Sequence, residues 1–408
     1  MSELNSGMLA VDDALKNVLL GIKQLDYEQI SIAQAQDRVL AEDLISRLTQ
    51  PPSAVSAMDG YAVLADDLET IPTTLTQVGE SAAGRSFFGK IQAGQTVRIF
   101  TGATIPEGAN AIVIQEDTEK LGKKIIIKEA APIGKYIRPA GLDFKIGQTL
   151  LKTGIRLNSR NIALAAAMNI PWLKVTRKPR IAILSTGDEL VLPGEAIGSD
   201  QIISSNSLGL AAMVTANGGI PINLGIAKDD PSSLKEIISK LSGLDMLITI
   251  GGASVGDYDL VKSVLGKAGL DITFSRVAMR PGKPLIFGHI LGIPMLGLPG
   301  NPVSAGVTAT LFLLPAINKM LGMEVVSSRT ETAILGCDLN KNDKRQDYLR
   351  AKISFNKAGD LIAIPFDQQD SSMLANYAKA QCLVLRLPFA NAISKGEIVK
   401  IIRLDYTF

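Results

Sequence analysis

From Pro179 onward, the sequence alternates between short, continuous apolar runs and amphipathic segments of helical period. The apolar runs are RIAILST, PINLGIA, DMLITI, PLIFGHI and IPMLGL. The segments between or after them, SNSLGLAAMVTANGG, SSLKEIISKLSG and NPVSAGVTATLFLLPAINKML, have the length and apolar spacing of helices. Apolar runs that alternate with helices indicate a parallel sheet covered by helices. We therefore expect a doubly wound α/β domain over residues 179–327.

The rest of the chain is patterned differently. Residues 60–140 contain short β-branched runs separated by glycine and proline clusters, which predicts an inserted β-rich domain. The flanking segments, 1–59 and 141–178, are expected to form one elongated mixed domain. It includes an amphipathic helix over residues 9–24 and a second helix in SRNIALAAAM that opens at Asn158 or Ser159. Five β-like runs predict a C-terminal β-barrel or sandwich over residues 328–408.

One segment has the composition of a membrane span. No Lys, Arg, Asp or Glu occurs from Pro284 to Asn318, and about 20 apolar residues are enough to cross a bilayer. Prolines and glycines interrupt this segment repeatedly, so we expect buried strand, turn and buried helix instead of a span. No membrane association is predicted.

Charge and cysteine content limit the partners and the compartment. The chain has 42 basic and 40 acidic residues and no polybasic block, so nucleic acid is not an expected partner. Cys337 and Cys382 are too few for a disulfide framework. The first residues lack a basic start followed by an apolar core, so no signal peptide is expected. A cytoplasmic location is predicted.

A single histidine, His289, restricts the available chemistry. It lies inside an apolar run, where a structural role is expected. A Ser-His-Asp triad could use no other residue, and metal sites built from several histidines are excluded. An enzyme of this composition must rely on carboxylates, lysines, arginines, backbone amides and a hard cation.

Three loops follow predicted strands of the α/β domain: STGDEL (185–190), GGASVGDYD (251–259) and LPGNPVSA (298–305). In an open α/β sheet, ligands bind beyond the carboxyl ends of the strands, at a switch in strand order. Asn301 as N-cap and Pro302 at N1 predict a helix start that suits an oxyanion. Gly251, Gly252 and Gly256 would let backbone amides approach such a ligand. Each loop alone is compatible with a plain turn, whereas the three together indicate a phosphorylated ligand.

Charged side chains accompany these loops. The acids Asp188, Glu189, Asp257 and Asp259 are expected near the same edge. Beside a phosphate they would suit Mg²⁺, which takes a few carboxylates together with phosphate oxygens and water. The RPGKP loop adds Arg280 and Lys283, and two cations suit a dianion. Solvated surface side chains are the alternative for both groups.

Seven motifs resemble one known family, and they occur in the family's order. They are SAMDGYAV (56–63), TGATIPEGANAIVIQED (101–117), RPAGLDFKIGQTLLKTG (138–154), STGDEL, GGASVGDYD, RPGKP and LPGNPVS. From about residue 10 to the C-terminus, the chain resembles the MoeA-type molybdopterin molybdenumtransferases, which include the gephyrin E domain. The resemblance implies an elongated, multidomain homodimer with its active site in the dimer cleft. It also implies an Mg²⁺-dependent transferase that takes adenylylated molybdopterin and molybdate as substrates, releases AMP, and works with a molybdopterin adenylyltransferase.

The same resemblance implies roles for individual residues. The implied catalytic residues are Asp59, Asp143, Glu189 and Asp259, the first two reaching the cleft from the partner subunit. The implied metal ligands are Glu189, Asp229, Asp257 and Asp259. Substrate contacts are implied for Thr101, Thr186, Gly187, Asp188, Asn206, Gly251, Gly252, Ser254, Gly256, Pro284, Pro299 and Asn301. The implied molybdate pocket consists of Arg280, Lys283, Ser304, Arg350 and Ser371.

The chain departs from the family pattern at three places, one of them Ala54-Val55, where a Phe and a polar residue are frequent. Ser204 stands where the family commonly has an Asp, and Asp370 stands where it commonly has the Gly of Gln-Gly-Ser. An added acid beside an oxyanion pocket should repel molybdate. Two other functions remain open, a molybdopterin adenylyltransferase of related fold and a non-catalytic pterin-binding scaffold.

Overall fold

The computed structural model describes residues 7–227, 241–251, 269–325 and 330–404. Six predicted site residues lie outside these ranges: Asp229, Gly252, Ser254, Gly256, Asp257 and Asp259. Most of the helix predicted in SSLKEIISKLSG and the boundary predicted at residue 327 also lie outside them.

The described elements are numbered in chain order. The first part contains α1 (Val11–Leu20), β1 (Tyr27–Ser31), β2 (Leu44–Ile45), β3 (Val55–Ser56), β4 (Gly60–Val63), β5 (Thr73–Ser81), β6 (Gln95–Ile99), β7 (Ala111–Ile114), β8 (Thr118–Leu121), β9 (Lys124–Ile127), β10 (Ile137–Arg138), β11 (Thr149–Leu151), α2 (Ser159–Ala167) and β12 (Trp172–Thr176). The middle part contains β13 (Arg180–Thr186), β14 (Leu190–Val191), β15 (Ile202–Ile203), α3 (Asn206–Ala216), β16 (Ile220–Ala227), β17 (Met246–Ile250), β18 (Leu270–Arg276), β19 (Met279–Arg280), β20 (Pro284–Ile290), β21 (Ile293–Leu298), α4 (Pro302–Thr308) and α5 (Leu314–Met320). The last part contains β22 (Glu331–Leu335), β23 (Gln346–Phe355), β24 (Leu361–Pro365), α6 (Leu374–Ala378), β25 (Cys382–Arg386) and β26 (Ile398–Arg403).

The segments before β4 and after β9 pair with each other. Strand β1 pairs with β12, β2 with β11 and β3 with β10, all antiparallel. Strands β4 to β9 form one six-stranded sheet in the order β7-β4-β6-β5-β9-β8. The flanking segments therefore pair with each other, and the six-stranded sheet is inserted between them, as predicted from the sequence. The residue boundaries of these units stay a prediction.

Both helices predicted in the N-terminal segments are present. Helix α1 is shorter than predicted, because the chain leaves the helix at Gly21. Asn158, not Ser159, is the N-cap of α2. Its side chain accepts hydrogen bonds from the amides of Arg160 and Asn161, and the Asn161 side chain accepts one from the Asn158 amide. This reciprocal pair is a capping box, which satisfies amides that a helix start otherwise leaves unpaired.

The α/β sheet has the strand order β16-β13-β17-β21-β20-β18. The first four strands are parallel, but β20 and β18 run antiparallel to their neighbours, so the sheet is mixed and not fully parallel. The reversal follows from the two-residue turn between β20 and β21. Leu291 and Gly292 both have positive φ, as a tight hairpin turn requires. Strand β18, which forms one edge of the sheet, was not predicted from the sequence.

The charge-free stretch from Pro284 forms β20, β21, α4 and α5, so the buried strands, turn and helix predicted there are confirmed. A π-helical segment, Ala309–Leu313, joins α4 to α5. The run Pro302–Met320 is long and apolar enough to cross a membrane, yet 78% of its apolar window is buried within the protein. Phe312 and Ile317 lie in the main hydrophobic core with residues of α1 and the α/β sheet. A helix packed in this way is a core helix.

His289 has the structural role expected for it. Its ring packs edge-on against Phe287, with 5.6 Å between ring centroids. Its Nε2 atom donates to the carbonyl oxygen of Gly21 at 3.1 Å, which joins β20 to the end of α1.

The C-terminal strands form a closed barrel. The order β23-β24-β22-β26-β25 is completed by pairing of β25 with β23, which excludes a sandwich. The short strand β19 adds to the barrel in parallel with β23, with Arg280 beside Asp347. The RPGKP loop of the α/β region is therefore joined to the barrel. The predicted fold class, a multidomain α/β protein with an inserted β-rich unit and a C-terminal β unit, is confirmed.

Candidate active site

The carboxyl ends of β13, β17 and β21 lie side by side. Ser185 aligns with Ile250, and Ile250 aligns with Leu298. The chain places β16 on one side of β13 and β17 on the other, so the strand order switches direction at β13. Ligands of open α/β sheets bind at such a switch point. The described parts of the three predicted loops meet there, as the sequence analysis expected.

A cleft of about 680 Å³ opens at this edge of the sheet, within the size range of small-molecule sites. Eight predicted site residues line it: Thr186, Gly187, Glu189, Asn206, Gly251, Pro284, Pro299 and Asn301. The other lining residues were not among the predicted site residues, although Pro302 was predicted as the first residue of the helix start: Ser185, Leu190, Ile202, Ile203, Ser204, Ser205, Ile250, Gly300, Pro302, Ser372 and Leu374. The cleft thus combines a polar floor with an apolar wall.

Hydrogen bonds hold the loops at the floor of the cleft together. The Thr186 hydroxyl donates to the Ile250 carbonyl at 3.4 Å, and the Gly251 amide donates to the Leu298 carbonyl at 3.1 Å. Asn206 Nδ2 donates to the Gly300 carbonyl at 2.6 Å. Gly251 has a φ of 91°, and a Cβ atom there would lie 2.6 Å from the Thr186 carbonyl oxygen. Only glycine fits this close approach.

The helix start at Asn301 is joined to the barrel. Asn301 is the N-cap and Pro302 the first helical residue, as predicted, but the Asn301 side chain does not cap the helix. Its Nδ2 atom donates to the Ser371 hydroxyl at 2.9 Å instead, and the Val303 amide donates to the Ser371 carbonyl at 3.1 Å. Ser304 follows and is buried. Ser371 and Ser304, both predicted for the oxyanion pocket, are therefore brought to the same helix start.

Arg350 is a buried cation on β23, only 3% exposed. Its guanidinium donates to the backbone carbonyls of Tyr348 at 3.5 Å and Asp370 at 3.2 Å. Burial lowers the pKa of Arg350, although a guanidinium in a protein keeps its charge. These acceptors are neutral, so the buried charge is suited to an anionic ligand.

The two cations of the RPGKP loop have different surroundings. Arg280 forms ion pairs with Asp347 and, at 3.2 Å, with Asp343. The hydrogen bond to Asp347 raises the pKa of Arg280. Lys283 is exposed and forms no ion pair with any described residue. Two carboxylates already compensate Arg280, so Lys283 is the cation of this loop that remains available to a ligand.

The RPGKP loop is packed tightly against α4. Gly282 has a φ of 106°, and a Cβ atom there would lie 2.4 Å from Cγ2 of Thr308. Pro284, two positions further along the chain, lines the cleft. Asp347, the buried partner of Arg280, was not predicted from the sequence, and no local signal marks it, because β23 also contains Arg350 and Lys352.

Asp59 and Thr101 form a second polar group, in the N-terminal half of the chain. The Asp59 carboxylate accepts hydrogen bonds from the Thr101 amide at 2.7 Å and hydroxyl at 2.8 Å. These bonds, the amide bond first, lower the pKa of Asp59, and the charge of Arg98 acts in the same direction. The Arg98 guanidinium lies 4.8 Å from the centroid of the Phe100 ring. Sequence reasoning missed Arg98.

Asp143 is exposed, and its amide donates to the Gln50 carbonyl at 3.0 Å. Asp59, Thr101 and Asp143 do not line the cleft described above. Among the described residues of one chain, the predicted site residues of the N-terminal half therefore do not share the cleft with those at the sheet edge.

The carboxylates fit a magnesium site in part. Of the four predicted ligands, only Glu189 lies in the described ranges, and it lines the cleft next to the exposed Asp188. Over those same ranges, no group of three or more His, Cys, Asp and Glu side chains is arranged to hold a metal. Mg²⁺ usually keeps several waters and takes one or two carboxylates with substrate phosphates. Glu189 is a hard oxygen donor of that kind.

Comparisons with known proteins cover almost the whole chain. Family models described as the MoeA N-terminal region (domain I and II), a probable molybdopterin binding domain and the MoeA C-terminal region (domain IV) match residues 9–169, 182–319 and 332–404. The molybdopterin molybdenumtransferase of Nostoc sp. is 37% identical over 398 residues, which are 93% of this chain and 89% of that protein. The Haemophilus influenzae molybdopterin molybdenumtransferase is 34% identical over 97% of this chain and 98% of its own length. A molybdopterin biosynthesis MoeA protein from Pyrococcus horikoshii superimposes with a TM-score of 0.84 at 31% identity, covering 97% of this chain and 99% of that one.

Proposed function

The chain belongs to the molybdopterin molybdenumtransferase family, and on that premise we propose that it cleaves adenylylated molybdopterin in the presence of molybdate, releasing AMP and forming the molybdenum cofactor. It is a transferase of molybdenum cofactor biosynthesis. The observation that carries the finer proposal is the cleft at the sheet edge together with the buried cation Arg350. Arg350 bonds to the Asp370 carbonyl, next to Ser371, which bonds to Asn301 at the start of α4. A phosphorylated pterin and an oxyanion need neighbouring sites of these two kinds.

The floor of the cleft is assigned to the phosphates of the substrate. Thr186, Gly187 and Gly251 offer backbone and hydroxyl groups at the strand ends, and Asn206 opens α3 beside them. Helix starts and glycine loops stabilise phosphate through free amides and the helix dipole. Asp188, Pro284 and Pro299 complete this part of the proposed site.

The oxyanion site is assigned to the junction between α4 and the barrel. Arg350, Lys283, Ser304 and Ser371 are proposed to bind molybdate. Arg280 has a different role in this proposal. Its pairing with Asp347 holds the loop that carries Lys283 against the barrel. Positioned cations stabilise a transferring anionic group without any covalent participation by the protein.

Among the predicted metal ligands that the structure describes, Glu189 is proposed to hold Mg²⁺. When bound, Mg²⁺ would neutralise charge on the phosphate oxygens and so favour cleavage of the linkage between the pterin phosphate and AMP. The chain's own groups orient the substrate at the cleft floor, and the apolar side chains of Leu190, Ile202 and Ile203 would cover one side of it.

Asp59, Thr101 and Asp143 are proposed to act from a second copy of the chain. They belong to the implied site but do not line the cleft of their own chain, as expected if a homodimer completes each site. Mixing Asp59→Asn protomers with Arg350→Met protomers tests this arrangement. In a mixed dimer one site is intact, so about a quarter of all sites should recover. No recovery beyond the two parent variants would place all these residues in one chain's site.

The central experiment measures AMP. Purified protein with adenylylated molybdopterin, Mg²⁺ and molybdate should release AMP, and omission of molybdate or Mg²⁺ should slow the release. No AMP under the complete conditions would reject the proposal. Formation of adenylylated molybdopterin from ATP would instead favour an adenylyltransferase. Retained pterin binding without either reaction would favour a scaffold. A separate adenylyltransferase as partner and a cytoplasmic location belong to the same proposal.

A further inference from the structure

Residues 369–372 link Arg350 to the helix start at Asn301. Gln369 Oε1 accepts from the Arg350 amide at 2.9 Å, and Gln369 Nε2 donates to the Arg350 carbonyl at 2.9 Å. The Asp370 carbonyl accepts from the Arg350 guanidinium at 3.2 Å. Ser371 bonds to Asn301, and Ser372 lines the cleft. The segment therefore fixes the position of a buried cation relative to the cleft.

Asp370 places a carboxylate in this segment. Its Oδ1 atom accepts from the Ser372 amide at 2.8 Å and from the Ser372 hydroxyl at 2.6 Å, so the carboxylate is held in one orientation. These bonds lower the pKa of Asp370, and the charge of Arg350 acts in the same direction. Asp370 is an ionised group over the pH range in which enzymes of this kind work.

The charge of Asp370 acts directly on the charge of Arg350. Burial lowers the pKa of Arg350, and of the neighbouring carboxylates that act in the opposite direction Asp370 has a larger effect on this pKa than Asp347. The Asp370 carboxylate makes no ion pair with Arg350, whose guanidinium contacts the Asp370 carbonyl instead. The guanidinium therefore keeps donors for a ligand, while a fixed negative charge nearby weakens its attraction for anions.

We propose that Asp370 sets the affinity of the oxyanion site by opposing the charge of Arg350, so that this chain binds molybdate more weakly than its cations alone would allow. The inference rests on the proposed function for the identity of the anion. Asp370 has no role in the reaction itself. It is a determinant of affinity, and it leaves the maximal rate of AMP release unchanged.

Repulsion between Asp370 and molybdate should depend on the salt concentration. Molybdate is a dianion, and the repulsion from one exposed carboxylate beside the site corresponds to about a threefold to tenfold change in affinity. Dissolved ions screen such a repulsion over about 8–10 Å. The difference between the wild type and an uncharged variant should therefore become smaller as the ionic strength rises.

The test is equilibrium binding of molybdate to purified full-length protein by calorimetry, at low and high salt. Asp370→Asn is the main variant, since its Oδ1 atom can still accept both bonds from Ser372. We expect its dissociation constant for molybdate to fall about threefold to tenfold at low salt and to approach the wild-type value at high salt. In steady-state AMP release, half-saturating molybdate should fall by the same factor at unchanged maximal rate.

Two further variants separate charge from structure. Asp367→Asn removes an exposed charge from the same loop, three positions before Asp370, and should leave the dissociation constant unchanged. Asp370→Glu keeps the charge but changes the contact with Ser372, and it should not tighten binding. Equal affinities for wild type and Asp370→Asn, an equal effect of Asp367→Asn, or no binding by either protein would overturn the inference. Absent AMP release with normal molybdate binding would reject the proposed function and leave this inference standing.

Discussion

Arg280 and Asp347 form a hydrogen-bonded ion pair that joins β19 of the α/β region to β23 of the barrel. The Asp347 residue is 4% exposed, whereas the Arg280 side chain is 46% exposed. Burial raises the pKa of Asp347, although Arg280 acts in the opposite direction. The carboxylate is therefore the member of the pair that depends on its partner, since a buried charge without compensation is strongly unfavourable.

Replacement of Arg280 should destabilise the fold. Arg280→Met leaves Asp347 buried, and we expect the free energy of unfolding to fall by about 2 kcal/mol at neutral pH. Because the folded pKa of Asp347 is raised, its charge destabilises the folded state above that pKa, and the penalty disappears as the pH falls through it. The loss caused by Arg280→Met should therefore shrink in acid. Urea unfolding as a function of pH measures this change.

A double-mutant cycle provides the control for this pair. In an Asp347→Asn background, Arg280→Met should cost much less than in the wild type. Lys283→Met removes an exposed cation from the same loop and should change stability by less than about 0.5 kcal/mol. An equal loss from both loop variants would show that the ion pair contributes nothing specific.

The pH dependence of activity should respond to Thr101. Its amide and hydroxyl hold the pKa of Asp59 below the ordinary range, so the Asp59 carboxylate stays ionised into acid. Thr101→Val removes the hydroxyl donor and should move the acid limb of the AMP-release profile to higher pH. Thr101→Ser keeps both donors and should leave the limb in place. An unmoved limb in Thr101→Val would mean that Asp59 ionisation does not control the rate.

The cleft floor should be intolerant of a side chain at Gly251. An added Cβ atom would lie 2.6 Å from the Thr186 carbonyl, in a backbone conformation of positive φ. Gly243 also has positive φ, but nothing lies within 4 Å of its added Cβ. Gly243→Ala should therefore cost only backbone strain, about 1 kcal/mol. Gly251→Ala should cost clearly more and abolish AMP release. Similar unfolding curves and activities for the two variants would contradict this reading of the floor.

Two buried arginines of the barrel should have separable roles. Arg386 is 6% exposed and donates to the backbone carbonyls of Asn340 and Asn391, which ties two loops together. Arg386→Met should lower stability by about 1–3 kcal/mol without changing molybdate binding. Arg350→Met should abolish molybdate binding with a change in stability below about 1 kcal/mol, because removing a poorly compensated buried cation relieves its desolvation cost. Calorimetric binding and thermal unfolding of both variants decide the assignment.

Much of the fold was predictable because its signals are local. Apolar runs identified β13, β16, β17, β20 and β21, and the strands of the barrel were each detected as β-like runs. Asn158 was one of two predicted caps for α2, and only the side-chain hydrogen bonds distinguished it from Ser159. Strand β18 was missed, because its alternating, half-exposed pattern does not differ enough from a loop between helices and strands.

The site was partly predictable for the same reason. Residues at strand ends, such as Thr186, Gly251 and Asn301, could be placed together because parallel strands bring their carboxyl ends to one edge. Ser372 and Leu374 could not be placed there from the sequence, because they belong to the barrel and reach the cleft only through its docking. The pairing of Arg280 with Asp347 is likewise a contact between two units far apart in the chain.

The sequence by itself determined most of the helices and strands of the α/β region and the barrel, the loops at the sheet edge and the chemical types of residue available there. Those properties depend on apolar periodicity, capping and turn residues, which act over a few neighbouring positions. The tertiary structure alone decided that β20 runs antiparallel, that Arg280 is compensated while Arg350 stays buried among carbonyls, and that Asp59 lies away from the cleft of its own chain. Those properties depend on burial and on long-range contacts between units, which no local pattern of residues encodes.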